Sequence, residues 1–328
     1  MRIEIWADTV CPWAHIGKRR LERALAGLGD GPGGDAEVVW RPYRIDPAAP
    51  AVAQPLDPLL RDPSVDTALR ACAPGLTPAQ NRVRVAGIAA AEGLGSRWGA
   101  AWRVSSHDSH RLAALALESG GPGLQDAVIE GVLRAHFVAA EDIGSAGVLD
   151  RVAREAGFPD GGRLLAEGAG EERVRELLLR GRAVGVRTSP TLVANGRALE
   201  GAQHPDAIRD FLVGAAAHTP RRLPEEVERL RQAESLLDRG DPLGALALLR
   251  PVLDEHAADR SVRLLAARAH YRSAQLGRAR RGLEELVAQR PDDAYARLLL
   301  GRTLQRQGER ELAGPHLRLA GAMDPGYA

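Results

Sequence analysis

The chain has 328 residues, more than one compact core usually holds, and 45% hydrophobic content is ample for two packed domains. Its 44 basic and 43 acidic side chains nearly cancel, which argues against nucleic-acid or membrane-surface binding driven by bulk charge. No run approaches the roughly 18 uninterrupted apolar residues of a membrane span. The first residues alternate, Ile3 and Ile5 against Arg2 and Glu4, which predicts a strand over 2–7 rather than a secretory leader. From about Trp13 to Leu28 the apolar spacing is helical, through Ile16, Leu21, Leu25 and Leu28, and Gly29 to Gly34 break it. "EVVWRPYRIDP" (37–47) reads as a second strand, stopped by its prolines. Strand, helix and strand in this order form a βαβ unit, which requires a parallel pair.

A helical insertion is expected over about 58–183, including a helix with Thr77 as its cap and Pro78 at its first position. Strand signals return at "PTLVANGRAL" (190–199), where Asn195-Gly196 is a two-residue hairpin turn. "HPDAIRDFLVGAA" is the closing helix, with His204 placed to cap it. The first domain is thus expected over 1–218, with the order βαβ, helical block, ββα. A linker follows at 219–224, "TPRRLP".

Residues 225–328 repeat. Ala245, Ala279 and Ala313 are spaced by 34, as are Gly240, Ala274 and Gly308, and Leu249, Leu283 and Leu317. Pro291 and Pro325 close two of the units. The period predicts three tetratricopeptide-type helix pairs, with small residues where paired helices approach closely. The concave face of such a stack suits a protein partner.

The first domain carries the chemistry. Cys11 follows the first strand and opens the first helix in "TVCPWAHIGK". A helix N-terminus has partial positive charge and free N–H groups, which favour a thiolate. A free thiol titrates near ~8.5, and this setting can lower that by one to several units. Pro12 has no N–H to waste, and His15 and Lys18 add candidate positive charge. Cys11 is therefore expected to be a partly accessible thiol of low pKa. A buried, inert cysteine is the alternative. Two cysteines, Cys11 and Cys72, cannot build a disulfide framework, so a reducing cytoplasm is the expected compartment.

The stretch resembles the FrnE-type branch of the DsbA family of thioredoxin-fold oxidoreductases, whose members typically read C-P-W-C-Y-I-G-K-R-R. "VVWRPYRIDPAAP", "HRLAALA", "AEDIGSAGVLDRVAREAG", "GVRTSPTLVANG" and "LEGAQ" also resemble family segments, over about residues 1–215. The resemblance implies an α/β thioredoxin-like fold with an inserted helical subdomain, followed here by the all-α repeat domain. It implies Cys11 as the catalytic thiol in the motif Cys11-Pro12-Trp13-Ala14-His15. It implies a cis proline at Ser189-Pro190 opposite the thiol, with the Ser189 backbone free to pair with an extended substrate. His110-Arg111 matches a family segment that can face the cleft; a helix-packing role is the alternative.

Two positions depart from the family. Ala14 replaces the resolving cysteine, and His15 replaces a tyrosine. A dithiol enzyme uses its second thiol to close a disulfide or expel a trapped substrate. Cys11 alone can form only a mixed disulfide that an outside thiol releases. Cys72, in "RACAPG", reads as a small apolar filler rather than a resolving partner. His107, Asp108 and His110 have no second cluster to complete a metal shell, so no metal is expected. No tightly bound cofactor is expected either; a low-molecular-weight thiol is the candidate co-substrate. Three functions compete. The first is a monothiol oxidoreductase. The second is a thiol-dependent isomerase or glutathione-transferase-like enzyme, since the fold resembles 2-hydroxychromene-2-carboxylate isomerases and kappa-class glutathione transferases. The third is a non-catalytic adaptor that binds partners through its repeats.

Overall fold

The computed structural model describes residues 1–29, 31–60, 73–218 and 223–327. It divides into two compact units, Met1–Gly181 with Gly185–Arg221, and Arg182–Val184 with Arg222–Ala328. The first unit runs β1 (Arg2–Ala7), α1 (Pro12–Leu28), β2 (Glu37–Pro42), β3 (Gln54–Pro55), α2 (Leu56–Leu59), α3 (Pro78–Ala91), β4 (Trp102–Arg103) and α4 (His107–Phe137). It continues through α5 (Ala146–Glu155), α6 (Gly161–Ala166), α7 (Glu171–Ala183), β5 (Thr191–Ala194), β6 (Arg197–Glu200) and α8 (Pro205–Ala216).

Four strands form one sheet in the order β2-β1-β5-β6. β1 runs parallel to β2, with Ile5 beside Trp40, and antiparallel to β5, with Ile5 beside Leu192. The parallel pair is the βαβ unit that the chain order demands. At the hairpin between β5 and β6, Asn195 and Gly196 have φ of 48° and 77°, which suits their residue types. Ile3 and Ile5 pack with Ile16 and Leu21 of α1 and with Ile208 and Leu212 of α8. Each such side chain contributes roughly 1.5–3 kcal/mol on burial.

Helix α4 ties the inserted helices to this sheet. Ile129, Leu133 and Phe137 recur every fourth residue and face the sheet core. Val128 and Val132, one position earlier, face a second core with Leu112, Ile143, Leu149 and Phe158. The insertion departs from expectation in one detail. It includes a two-stranded ribbon, β3 with β4, whose strands are too short to show a period of two. Gly121 (φ 73°) kinks α4 between its two helical stretches. Residues 61–72 of the expected insertion, with Cys72, and 219–222 of the expected linker lie outside the described residues.

The second unit is three helix pairs: α9 (Glu225–Asp238) with α10 (Pro242–Glu255), α11 (Arg260–Arg272) with α12 (Leu276–Gln289), and α13 (Ala294–Arg306) with α14 (Arg310–Met323). Ala245, Ala279 and Ala313 are buried at the pair contacts. The column Gly240, Ala274, Gly308 is small for a different reason than the one expected. All three have positive φ, at 85°, 59° and 88°, in the turn that ends the first helix of each pair. Close helix approach belongs instead to Gly301, where a Cβ would lie 2.7 Å from the Leu317 side chain. Left-handed backbone costs an alanine about 1–2 kcal/mol. Ala274→Gly therefore raises the stability of the repeat unit by up to about 1 kcal/mol in a denaturant melt, after the entropy cost of glycine is subtracted. Unchanged stability rejects this account.

Candidate active site

Cys11 sits where β1 gives way to α1. Its N–H donates to the Asp8 carbonyl at 3.0 Å, closing the turn. It is the N-cap, extended at φ −83° and ψ 119°, with Pro12 beginning the helix. The loop before β5 approaches from the other side. The Ser189-Pro190 peptide is cis. The Cys11 thiol reaches the Ser189 carbonyl at 3.4 Å, and the Asp8 N–H donates to Ser189 Oγ at 2.9 Å. Gly17 permits this approach, since a Cβ there would meet Pro190 Cγ at 3.0 Å. The Ser189 carbonyl thus accepts from the thiol and keeps a second lone pair.

The electrostatics overturn the expectation of an exposed, low-pKa thiol. Cys11 is only 3% exposed. Burial pushes its thiol up to about 11; Ser189 pulls against this, and the Asp8 carboxylate adds to it. Removing the anion from water outweighs the helix N-terminus. The expected positive neighbours do not help. His15 is fully buried, and its Nδ1 accepts from Trp98 Nε1 at 3.2 Å. Burial, with the Arg19 and Lys18 charges, lowers its pKa to about 3, so it is neutral. Its ring packs against Trp98 and Phe137, at centroid distances of 6.2 and 6.0 Å. Lys18 is spent on Glu22, Asp126 and Glu130. Burial opposes its charge, but Asp126 and Glu22 outweigh that and hold its pKa above the usual range.

Of the other motif residues, Ala14 is buried at 1% exposure, and Trp13 lies under the Arg84 guanidinium, 5.6 Å from its ring centre. His110 is brought to the site. Its Nε2 reaches the Tyr43 carbonyl at 2.9 Å and Asp8 Oδ1 at 3.4 Å. Both partners are acceptors, so Nε2 carries the hydrogen. Arg111 is not brought to the site. Its guanidinium binds the Ala169 and Leu165 carbonyls and Asp108, a clamp on the insertion.

Sequence reasoning missed Asp8 and Tyr43. Asp8 is 1% exposed, yet its carboxyl stays below the usual range. Burial opposes ionisation, but His110, Ser106 and the Ile45 N–H, at 2.6 Å, outweigh it. Tyr43 donates its hydroxyl to the Arg187 carbonyl at 2.7 Å, bridging the segment after β2 to the cis-proline loop. Burial, Asp8 and Cys11 raise its pKa. The available signal was an acid three positions before the cysteine and a tyrosine directly after a strand-ending proline. Among the described residues no cluster of His, Cys, Asp and Glu could hold a metal.

A family model described as a DSBA-like thioredoxin domain matches residues 2–213, and a tetratricopeptide repeat model matches 236–303. No curated protein matches the chain. Among solved structures it is similar to a probable DsbA oxidoreductase from Streptomyces coelicolor, with 28% identity and a TM-score of 0.55 over 68% of this chain and 94% of that one. A cytosolic disulfide reductase, DsbM from Pseudomonas aeruginosa, matches at 18% identity and a TM-score of 0.41, over 65% of this chain and 97% of that one. Through residues 2–213 the chain belongs to the family of DSBA-like thioredoxin domains, and it carries tetratricopeptide repeats after it.

Proposed function

We propose that the chain is a thiol–disulfide oxidoreductase reduced to one working thiol. The Cys11 thiolate attacks a disulfide, one sulfur bonds to Cys11, and the other leaves as a thiolate that takes up a proton. A thiol from outside, with a low-molecular-weight thiol as the candidate, then attacks the mixed disulfide and restores Cys11. The observation that carries this reading is the Cys11 sulfur held 3.4 Å from the Ser189 carbonyl, beside a cis proline. The buried thiol shapes the kinetics. A thiol of high pKa leaves slowly, so the mixed disulfide is long-lived and its release is the slow step. This suits a trap or a reductase better than an oxidant, whose reduced thiolate must be stabilised. The substrate is a thiol or disulfide in a reducing compartment, with the cytoplasm as the expected setting, and the repeats hold a protein partner.

Incubation with hydroxyethyl disulfide near pH 9, followed by intact-mass measurement, is expected to add one half-disulfide at Cys11. Cys11→Ser abolishes the adduct, and excess thiol reverses it. A second reading is an adaptor whose thiol does no chemistry, and the 3% exposure of Cys11 favours it. An adduct that forms only after unfolding selects the adaptor.

A further inference from the structure

Charge in the repeat unit is sorted by helix. α9 carries four glutamates and an aspartate. α11 and α13, the first helices of the next two pairs, carry seven arginines between them and no acid. The 34-residue period sets residues of one column on one face of the stack. Two contacts identify the face on which the first helices meet. Arg268 of α11 reaches back to α9, to Glu234 at 3.1 Å and Asp238 at 3.7 Å. Arg306 of α13 reaches back to α11. Its Nη1 donates to the Tyr271 carbonyl at 2.8 Å, and its guanidinium lies 4.7 Å from the Tyr271 ring centre.

On this face the acids run out after the first pair. Glu234 is followed in its column by Arg268 and Arg302, and Asp238 by Arg272 and Arg306. Arg268 takes both carboxylates. Arg272, Arg302 and Arg306 are exposed, with no carboxylate partner among the described residues. Other arginines of these helices are paired: Arg260 with Asp293, and Arg263 with Glu285. One turn before Glu234, Arg268 and Arg302 lies a third column, Leu230, Leu264 and Leu298. Leu230 and Leu264 are half-buried, so an apolar strip runs beside the arginines. Guanidinium groups pair with carboxylates through two parallel N–H donors. A long polyanion laid along this face meets the acids of α9. A short peptide can place its acids on the basic half alone.

We propose that the face built by α9, α11 and α13 binds an acidic segment of a partner protein. Its carboxylates lie on Arg272, Arg302 and Arg306, and an apolar side chain rests on the leucine strip. This rests on the reading that the repeats hold a protein partner, and it is independent of the chemistry at Cys11.

The test uses the full chain and three labelled, cysteine-free peptides of about ten residues, which span roughly 33 Å when extended. They share leucines at fixed positions and carry glutamate, glutamine or lysine between them. Binding is read by fluorescence anisotropy at low ionic strength. The glutamate peptide is expected to bind about tenfold more tightly than the glutamine one, because several exposed ion pairs of small individual worth act together. The lysine peptide is expected to bind most weakly. Arg272→Gln and Arg302→Gln are each expected to weaken the glutamate peptide about threefold. Neither changes adduct formation at Cys11 with hydroxyethyl disulfide. Added salt closes the gap between the glutamate and glutamine peptides in the unmodified chain, a readout that needs no variant. Equal binding of the three peptides, or tighter binding of the lysine peptide, overturns the proposal and leaves a partner-holding face of another kind. If no peptide binds, the partner reading fails and this one with it, while the mixed-disulfide reading is untouched. A single-stranded oligonucleotide that outcompetes the glutamate peptide overturns the proposal. So does a dimer of the unmodified chain that Arg302→Gln dissociates, because the acids of a second copy's α9 then fill the face.

Discussion

Alkylation of Cys11 by iodoacetamide is expected to climb about tenfold per pH unit from pH 7 to 10 and to level off only near pH 11, with no plateau near the ~8.5 of an ordinary thiol. At pH 7, a pKa of about 11 leaves the thiolate on the order of 300-fold scarcer than in a free cysteine. Nucleophilicity rises with basicity and returns about tenfold of that loss. The net deficit is therefore on the order of 30-fold, before the steric cost of a thiol that is 3% exposed. Asp8 separates the two sources of the shift. Burial is the larger cause, and the Asp8 carboxylate adds to it. Asp8→Asn removes the charge, keeps an acceptor for the Ile45 N–H, and is expected to move the midpoint down. The substitution also takes the anionic partner from His110 Nε2, 3.4 Å away. A profile with a midpoint below 8.5 in the unmodified chain overturns the account and restores a thiolate site. An unmoved midpoint in Asp8→Asn assigns the whole shift to burial.

The difference between motif and structure is physical. The sequence shows a cysteine at a helix start with cations at the fourth and seventh positions after it. Their charges are cancelled from far away. Asp126 and Glu130, on α4, reach back to Lys18, and Trp98 and Phe137 cover His15. No local spacing reports such partners. Burial of the thiol is likewise set by the Ser189 loop, 178 residues distant. The elements legible in the sequence were those with local or periodic causes. The β1-α1-β2 unit follows from chain order, the Asn195-Gly196 turn from residue type, and the helix pairs from a 34-residue period. Where the period was legible its reason was not: Gly240 and Gly308 answer to a left-handed turn, which a column of small residues does not distinguish from close packing. Asp8 escaped notice because an aspartate in a turn is ordinary, and only the fold shows that His110 and Ile45 surround it.

Ala14→Cys is expected to turn a long-lived adduct into turnover. Residue 14 lies on the first turn of α1, and its N–H donates to the Cys11 carbonyl at 3.0 Å. Side chains three apart on a helix lie within about 5–6 Å, and the extended backbone of an N-cap lets the two sulfurs close to bonding geometry. Opposing this, Ala14 is 1% exposed, and packing a sulfur beside it costs on the order of 1–3 kcal/mol. The kinetic gain is larger than that cost. The new thiol attacks the Cys11 adduct intramolecularly, and orientation of this kind exceeds millimolar external thiol by several orders of magnitude. The expelled group leaves from the substrate sulfur, so the high pKa of Cys11 no longer sets the slow step. The adduct that accumulates in the unmodified chain should fall below detection in Ala14→Cys, replaced by an intramolecular disulfide two mass units lighter than the dithiol. Turnover with a small disulfide and a recycling reductant should rise by at least about tenfold. A thermal melt of the reduced variant shows whether the added sulfur is tolerated. A folded variant that neither oxidises nor shortens the adduct's life means that the surroundings of Ala14 have left redox chemistry, and the adaptor reading then stands.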